Sequence, residues 1–119
     1  MELSGVVLGT PDPDALAGFY QRLLGWPRIQ DEPDWVKLGP PAGGPGLSFQ
    51  LEVDHRPPSW PSGPGEQQMQ VHLDIKVDDL TEASAQAVAA GARVADFQGD
   101  DDVVVHLDPD GHPFCLFLQ

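Results

Sequence analysis

The chain reads as an α+β fold made of two βαβββ modules, and three features of the sequence predict it. The order strand, helix, strand, strand, strand is spelled twice, over about residues 3–53 and again over about 69–119. A glycine closes each helix, Gly25 and Gly91, where a left-handed residue ends a helix at least cost. Residues 54–68 between the copies are rich in Pro, Gly and Ser, carry no apolar period and read as a linker. A repeat of about fifty residues is too small to bury a core of its own. The two copies are therefore expected to pack as one domain over 1–119, with any pocket between them.

In the first copy an apolar strand, Gly5 to Leu8, leads through Thr10-Pro11-Asp12-Pro13-Asp14 into a helix from Ala15 to Leu24. Asp12 can cap that helix and Pro13 suits its first position. Leu16, Phe19, Tyr20 and Leu23 then recur at helical spacing, a stripe that faces a sheet. Trp35 and Lys37 alternate along a strand, and a Gly/Pro loop over 39–46 joins it to the next. That loop precedes neither a helix start nor a Lys-Ser/Thr pair, so it is no phosphate cradle. Leu47 to Val53 alternates apolar with polar.

Val71 to Val77 alternates with the same parity in the second copy. Asp79-Leu80-Thr81-Glu82 is a capping box with Asp in the cap role, and the alanine-rich body from Leu80 to Ala90 suits close approach to a sheet. Parity puts Phe49, Leu73, Ile75 and Leu116 in the helix-facing core with Phe19 and Leu23. It puts Ser48, Gln50, Glu52, His72, Asp74, Cys115 and Phe117 on the opposite face, where they should line one shared concavity.

Six Lys+Arg against 19 Asp+Glu give a net charge of −13. Phosphate backbones and anionic lipid would be repelled and no basic cluster exists, so neither nucleic acid nor membrane is an expected partner. An acidic field would concentrate cations, though carboxylates also serve solubility alone. The N-terminus has no signal-peptide pattern and no run of eighteen apolar residues exists, so the expected location is the cytoplasm. Cys115 is the only cysteine, which excludes an intrachain disulfide.

Of the residues that carry chemistry, His72 interrupts an apolar strand, and Asp74 beside it could orient its ring or accept from a ligand; a hydrogen-bonded structural histidine is the alternative. His106-Leu107-Asp108 repeats the His-x-Asp spelling. Asp108 opens an Asp-Pro-Asp-Gly turn, however, so Asp108, Asp110 and Gly111 read as turn chemistry, and His55 and His112 as loop residues. Cys115 has no basic neighbour or helix start to lower its pKa and reads as a small buried hydrophobe. Ser48 lacks the surroundings of a serine nucleophile. Trp26 reads as core. Trp60, in the linker, must pack somewhere or act as a lid, and Trp35 and Phe117 complete an aromatic supply that suits a flat or cationic organic molecule.

The duplication, the helix Phe19-Tyr20-x-x-Leu23-Leu24-Gly25-Trp26 and the closing Asp108-Pro109-Asp110-Gly111-His112-Pro113-Phe114 together resemble the vicinal oxygen chelate superfamily: glyoxalase I, extradiol dioxygenases and bleomycin-resistance proteins. The resemblance implies a curved eight-stranded mixed sheet around a cleft, often in a homodimer. It also implies four metal-ligand positions in the metal-dependent members, which fall here on Gly5, Gln50, His72 and Cys115. Gly5 has no side chain and Cys115 replaces a carboxylate, so His72 and Gln50 alone remain as weak candidates, short of the three good ligands a catalytic divalent site needs. Asp74 and a Cys115 thiolate could rescue a weak divalent site, with a preference for zinc.

Three readings follow. The first is a small-molecule-binding protein with a degraded metal site and no resident cofactor, sequestering a cationic or aromatic compound as bleomycin-resistance proteins do. Its site would comprise Ser48, Gln50, Glu52, His72, Asp74, Cys115 and Phe117 with Trp35 and Trp60. The second is a glyoxalase-like lyase or isomerase in which His72 and Gln50 hold a divalent ion that polarises a substrate oxygen. The third is a structural or partner-binding role.

Overall fold

A computed structural model describes residues 1–118. They form β1 (Gly5–Thr10), α1 (Pro13–Leu24), β2 (Arg28–Glu32), β3 (Trp35–Leu38), β4 (Gly46–Leu51), β5 (Leu73–Lys76), α2 (Leu80–Ala90), β6 (Arg93–Val94), β7 (Val103–Leu107) and β8 (Pro113–Phe117). The expected α+β order of two βαβββ modules is present, and the chain divides into two compact units at His55 and Arg56. The linker therefore belongs almost wholly to the second unit. No helix among the described residues is long and apolar enough to cross a membrane.

Both modules have the same sheet. In the first the strand order is β1-β4-β3-β2 and in the second β5-β8-β7-β6, with the outer pairs β1/β4 and β5/β8 parallel and the rest antiparallel. A parallel pair needs a crossover, and in each module the helix after the first strand begins it.

The first module follows its caps and stripe closely. The Asp12 carboxylate accepts from the Ala15 amide at 3.1 Å, Pro13 opens α1, and Gly25 ends it in the left-handed region at φ 73°. The inward face of α1 buries Leu16, Phe19 and Tyr20 against Val36, Leu38, Leu47 and Phe49. Tyr20 stacks on Phe49 with ring centroids 5.6 Å apart, and Phe19 meets Tyr20 edge-on at 4.8 Å. Rings and branched aliphatics of this size each contribute about 1.5–3 kcal/mol on burial.

The second module has a thinner core. Ala87 is the only fully buried residue of α2, and beneath the helix lie Phe114, Leu116 and His106. His106 is completely buried and stacks on Phe114 with centroids 5.3 Å apart. Its Nε2 lies 2.8 Å from Ser84 Oγ of α2, and its Nδ1 lies 3.2 Å from the Val104 carbonyl. A carbonyl only accepts, so Nδ1 carries the hydrogen and Nε2 accepts from the serine hydroxyl. Burial pushes the imidazole below its ordinary pKa, against the smaller opposing effect of the Val104 bond. It is a neutral polar pin between β7 and α2.

Phe19, Phe49 and Leu116 are buried as expected, whereas Leu23, Leu73 and Ile75 are only half-buried. Leu23 sits in the last turn of α1, and the other two lie on β5, which has a neighbour on one side only. Two strands are also shorter than the alternation suggests. β4 ends at Leu51 and leaves Val53 exposed, and β5 starts at Leu73, so His72 immediately precedes it.

Candidate functional site

The sheet face turned away from α2 carries a polar corner and an apolar floor. The parallel register of β5 and β8 sets Asp74 beside Cys115 and Lys76 beside Phe117. His72, two residues before Asp74, brings its Nε2 to 3.2 Å from an Asp74 carboxylate oxygen. Donor atoms of His72, Asp74 and Cys115 lie within 4.8 Å of one another. Cys115 is buried, and burial first, then the charge of Asp74 and a hydrogen bond to its carboxylate, push the thiol up. At neutral pH the sulfur is therefore a protonated thiol.

Toward β7 the same face becomes apolar. Val105 pairs with Cys115 and Val103 with Phe117, and Ala95, Val105 and Cys115 form a buried cluster on which Trp60, Val103 and Leu107 pack. Trp60 comes from the linker. Its Nε1 donates to the Phe97 carbonyl at 3.2 Å, which fixes the indole on the sheet. The Gln98 side chain secures the floor from behind, accepting from the Val105 amide and donating to the carbonyls of Ala95 and Val105, all at 2.9 Å. Pro57 also tethers the linker: a Cβ on Gly111, whose φ is +89°, would come within 2.7 Å of the Pro57 Cβ.

In the first module the corresponding face carries Trp35 opposite Gln50 across β3 and β4. Gln50 Nε2 donates to Glu52 at 3.0 Å, and Trp35 Nε1 donates to Gln30 at 2.7 Å. The Glu52 stem lies over Gly9, where an added Cβ would meet its Cγ at 2.8 Å. Ser48 departs from expectation. It is only 2% exposed, a short side chain on a strand flanked by the longer Val7 and Lys37, and so presents nothing to a ligand.

The structure thus brings together His72, Asp74 and Cys115, and packs Trp60 on the cluster that contains Cys115, within the second module; it joins Trp35, Gln50 and Glu52 within the first. Turn chemistry accounts for Asp108, whose carboxylate accepts from the amides of Asp110 and His112 and lies 2.8 Å from His112 Nδ1. The apolar floor of Val103, Val105, Leu107 and Ala95 was not singled out from the sequence. Val103-Val104-Val105 has no polar alternation, so its two faces cannot be told apart by pattern.

The glyoxalase-like domain family model matches residues 5–117. The chain belongs to the glyoxalase-like domain family. Among solved structures this glyoxalase-like domain is similar to a glyoxalase/bleomycin resistance protein/dioxygenase family enzyme from Burkholderia phytofirmans PsJN, with a TM-score of 0.75 and 22% identity over 99% of this chain and 98% of that one. A glyoxalase-related enzyme from Fulvimarina pelagi gives a TM-score of 0.72 at 22% identity, covering 100% of this chain and 88% of the other. A glyoxalase/bleomycin resistance protein from Albidiferax ferrireducens T118 gives 0.66 at 17%, covering 98% of each. No curated protein is significantly similar in sequence. Together these place the domain in the vicinal oxygen chelate superfamily.

The four positions that the resemblance assigns to a metal are unevenly supplied with donor atoms. Gly5 offers no donor atom, and a Cβ there would press on the Gly46 carbonyl at 3.0 Å. Gln50 donates through Nε2 to Glu52, which leaves its Oε1 as a neutral donor atom, and burial with the charge of Asp74 pushes the Cys115 thiol up. His72 supplies the one imidazole among the four positions, and its Nε2 is turned to Asp74.

Proposed function

We propose that this glyoxalase-like domain binds and sequesters an aromatic small molecule, without a divalent centre of the superfamily type. The observation that carries the reading is Trp60, an indole held by its bond to Phe97 over the Ala95, Val105 and Cys115 cluster, with Phe117 on the same sheet face. A large ring fixed on an apolar floor is a stacking surface prepared before the ligand arrives, so little ordering entropy opposes binding. Glu52 and Asp74, expected to recognise a cationic group, are already engaged by Gln50 and by His72 and Cys115. The aromatic half of that expectation is the half the geometry favours. Calorimetric titration with a panel of one- and two-ring aromatics tests it: Trp60→Ala should weaken binding about tenfold, since an aromatic pair contributes about 0.5–1.5 kcal/mol beyond its buried area. Unchanged affinity in Trp60→Ala would refute it.

The second reading, a metal-dependent lyase or isomerase, draws support from the three donors of His72, Asp74 and Cys115 within 4.8 Å. It requires Asp74 in place of Gln50 and loss of the Cys115 proton. About one divalent ion per chain after gel filtration, lost in His72→Ala, would promote it over the first.

A further inference from the structure

Besides the floor under Trp60, the second module has a cavity of about 270 Å³ on its β6 side, lined by Pro58, Ser59, Trp60, Arg93, Asp96 and Leu107 among others. Arg93 and Leu107 are register partners on β6 and β7, so both side chains leave the same sheet face, the face on which Trp60 packs. The cavity is slightly smaller than the roughly 300–1,000 Å³ of sites for drug-sized ligands, which limits its occupant to about one ring with a short substituent.

Charge decides which substituent. Glu52 and Asp74, the acids expected to recognise a cation, have partners, and the Arg93 guanidinium has neither a hydrogen bond nor an ion pair among the described residues, in a chain with 19 acidic side chains. A planar, five-donor fork left open beside an indole matches a carboxylate in a way that a point charge does not. Asp96 also lines the cavity, and its charge disfavours a carboxylate placed beside it rather than beside Arg93.

We propose that this cavity takes a one-ring aromatic carboxylate, the ring resting on Trp60 and Leu107 and the carboxylate bound by Arg93. The proposal rests on the aromatic-binding reading above and names its ligand class.

Isothermal titration of the full chain with benzoate, benzyl alcohol and benzylamine tests it. Benzoate is expected to bind about tenfold more tightly than benzyl alcohol, with benzylamine weakest. Arg93→Met should cost benzoate about tenfold and benzyl alcohol much less, Arg93→Lys should recover part of the loss, and Asp96→Asn should tighten benzoate. Circular dichroism and the melting temperature of each variant report that it is folded. Benzylamine binding as well as benzoate, or unchanged benzoate affinity in Arg93→Met, overturns the proposal; the aromatic-binding reading then survives if Trp60→Ala weakens benzyl alcohol. If none of the three compounds binds, both fall.

Discussion

Removing the buried pin between Ser84 and His106 tests whether α2, with only Ala87 fully buried, is held to its sheet by a polar contact. Ser84→Ala leaves His106 Nε2, in a fully buried ring, without its donor. An unsatisfied buried acceptor costs about 1–3 kcal/mol, and 1.5 kcal/mol is a reasonable centre for a half-buried serine partner. His106→Leu removes the acceptor and also the stack on Phe114 and the bond to Val104, which together amount to about 2–3 kcal/mol. In the His106→Leu background Ser84→Ala has no imidazole left to orphan and should be nearly neutral. The coupling energy of the cycle is then about 1–1.5 kcal/mol. Urea unfolding followed by circular dichroism reads it directly: with a slope of about 1–2 kcal/mol per molar, Ser84→Ala lowers the wild-type midpoint by about 1 M and the His106→Leu midpoint by little. Equal shifts in the two backgrounds would refute the reasoning.

The same imidazole predicts a pH dependence. Its folded pKa lies below its unfolded value of about 6.5, so the folded state binds fewer protons; its contribution is full above pH 6.5 and is lost as pH falls toward the folded value. The melting temperature should fall over that window more steeply in wild type than in His106→Leu, and parallel curves would count against it. Gly111→Ala should cost at least about 1–2 kcal/mol in urea unfolding, because φ is +89° and the new Cβ would strike Pro57; a neutral result would mean that Pro57 is not seated there. Cys115 should react slowly with iodoacetamide at neutral pH, and Asp74→Asn, which removes the negative charge that adds to burial in raising its pKa, should speed alkylation several-fold; no change would place Asp74 away from the sulfur. Elemental analysis of protein purified without chelator should find far less than one divalent ion per chain, and a full equivalent lost in His72→Ala would reverse the metal assignment.

What could be read from the sequence was what local chemistry encodes. Asp12 and Asp79 cap their helices through carboxylate bonds of 3.1 and 3.0 Å, Gly25 and Gly91 end them, and period-two alternation found β4 and β5 with the correct parity. Asp74 beside Cys115 followed from that parity because the strands are in register. Three things were not legible, each because it depends on partners distant in the chain. Ser48 is buried by its neighbours on the adjoining strands, which parity does not reveal. His72 and His106 share a His-x-Asp spelling, yet only the second turns into the core, where Ser84 of α2 receives it. The linker has no periodicity, so nothing local says that Trp60 reaches the β7/β8 face or that Phe97 holds it there.

The central claim, that an aromatic ligand occupies the Trp60 face of the second module, is tested most directly by the indole N–H resonances of the three tryptophans in a ¹⁵N-labelled sample during separate titrations with benzyl alcohol and benzoate. The Trp60 resonance should shift with a saturating dependence on ligand while Trp26, beside the end of α1, stays in place, and Trp60→Phe should delete the moving peak. A Trp60 resonance that stays fixed at saturating ligand, or a response confined to Trp26 or Trp35, would contradict the account.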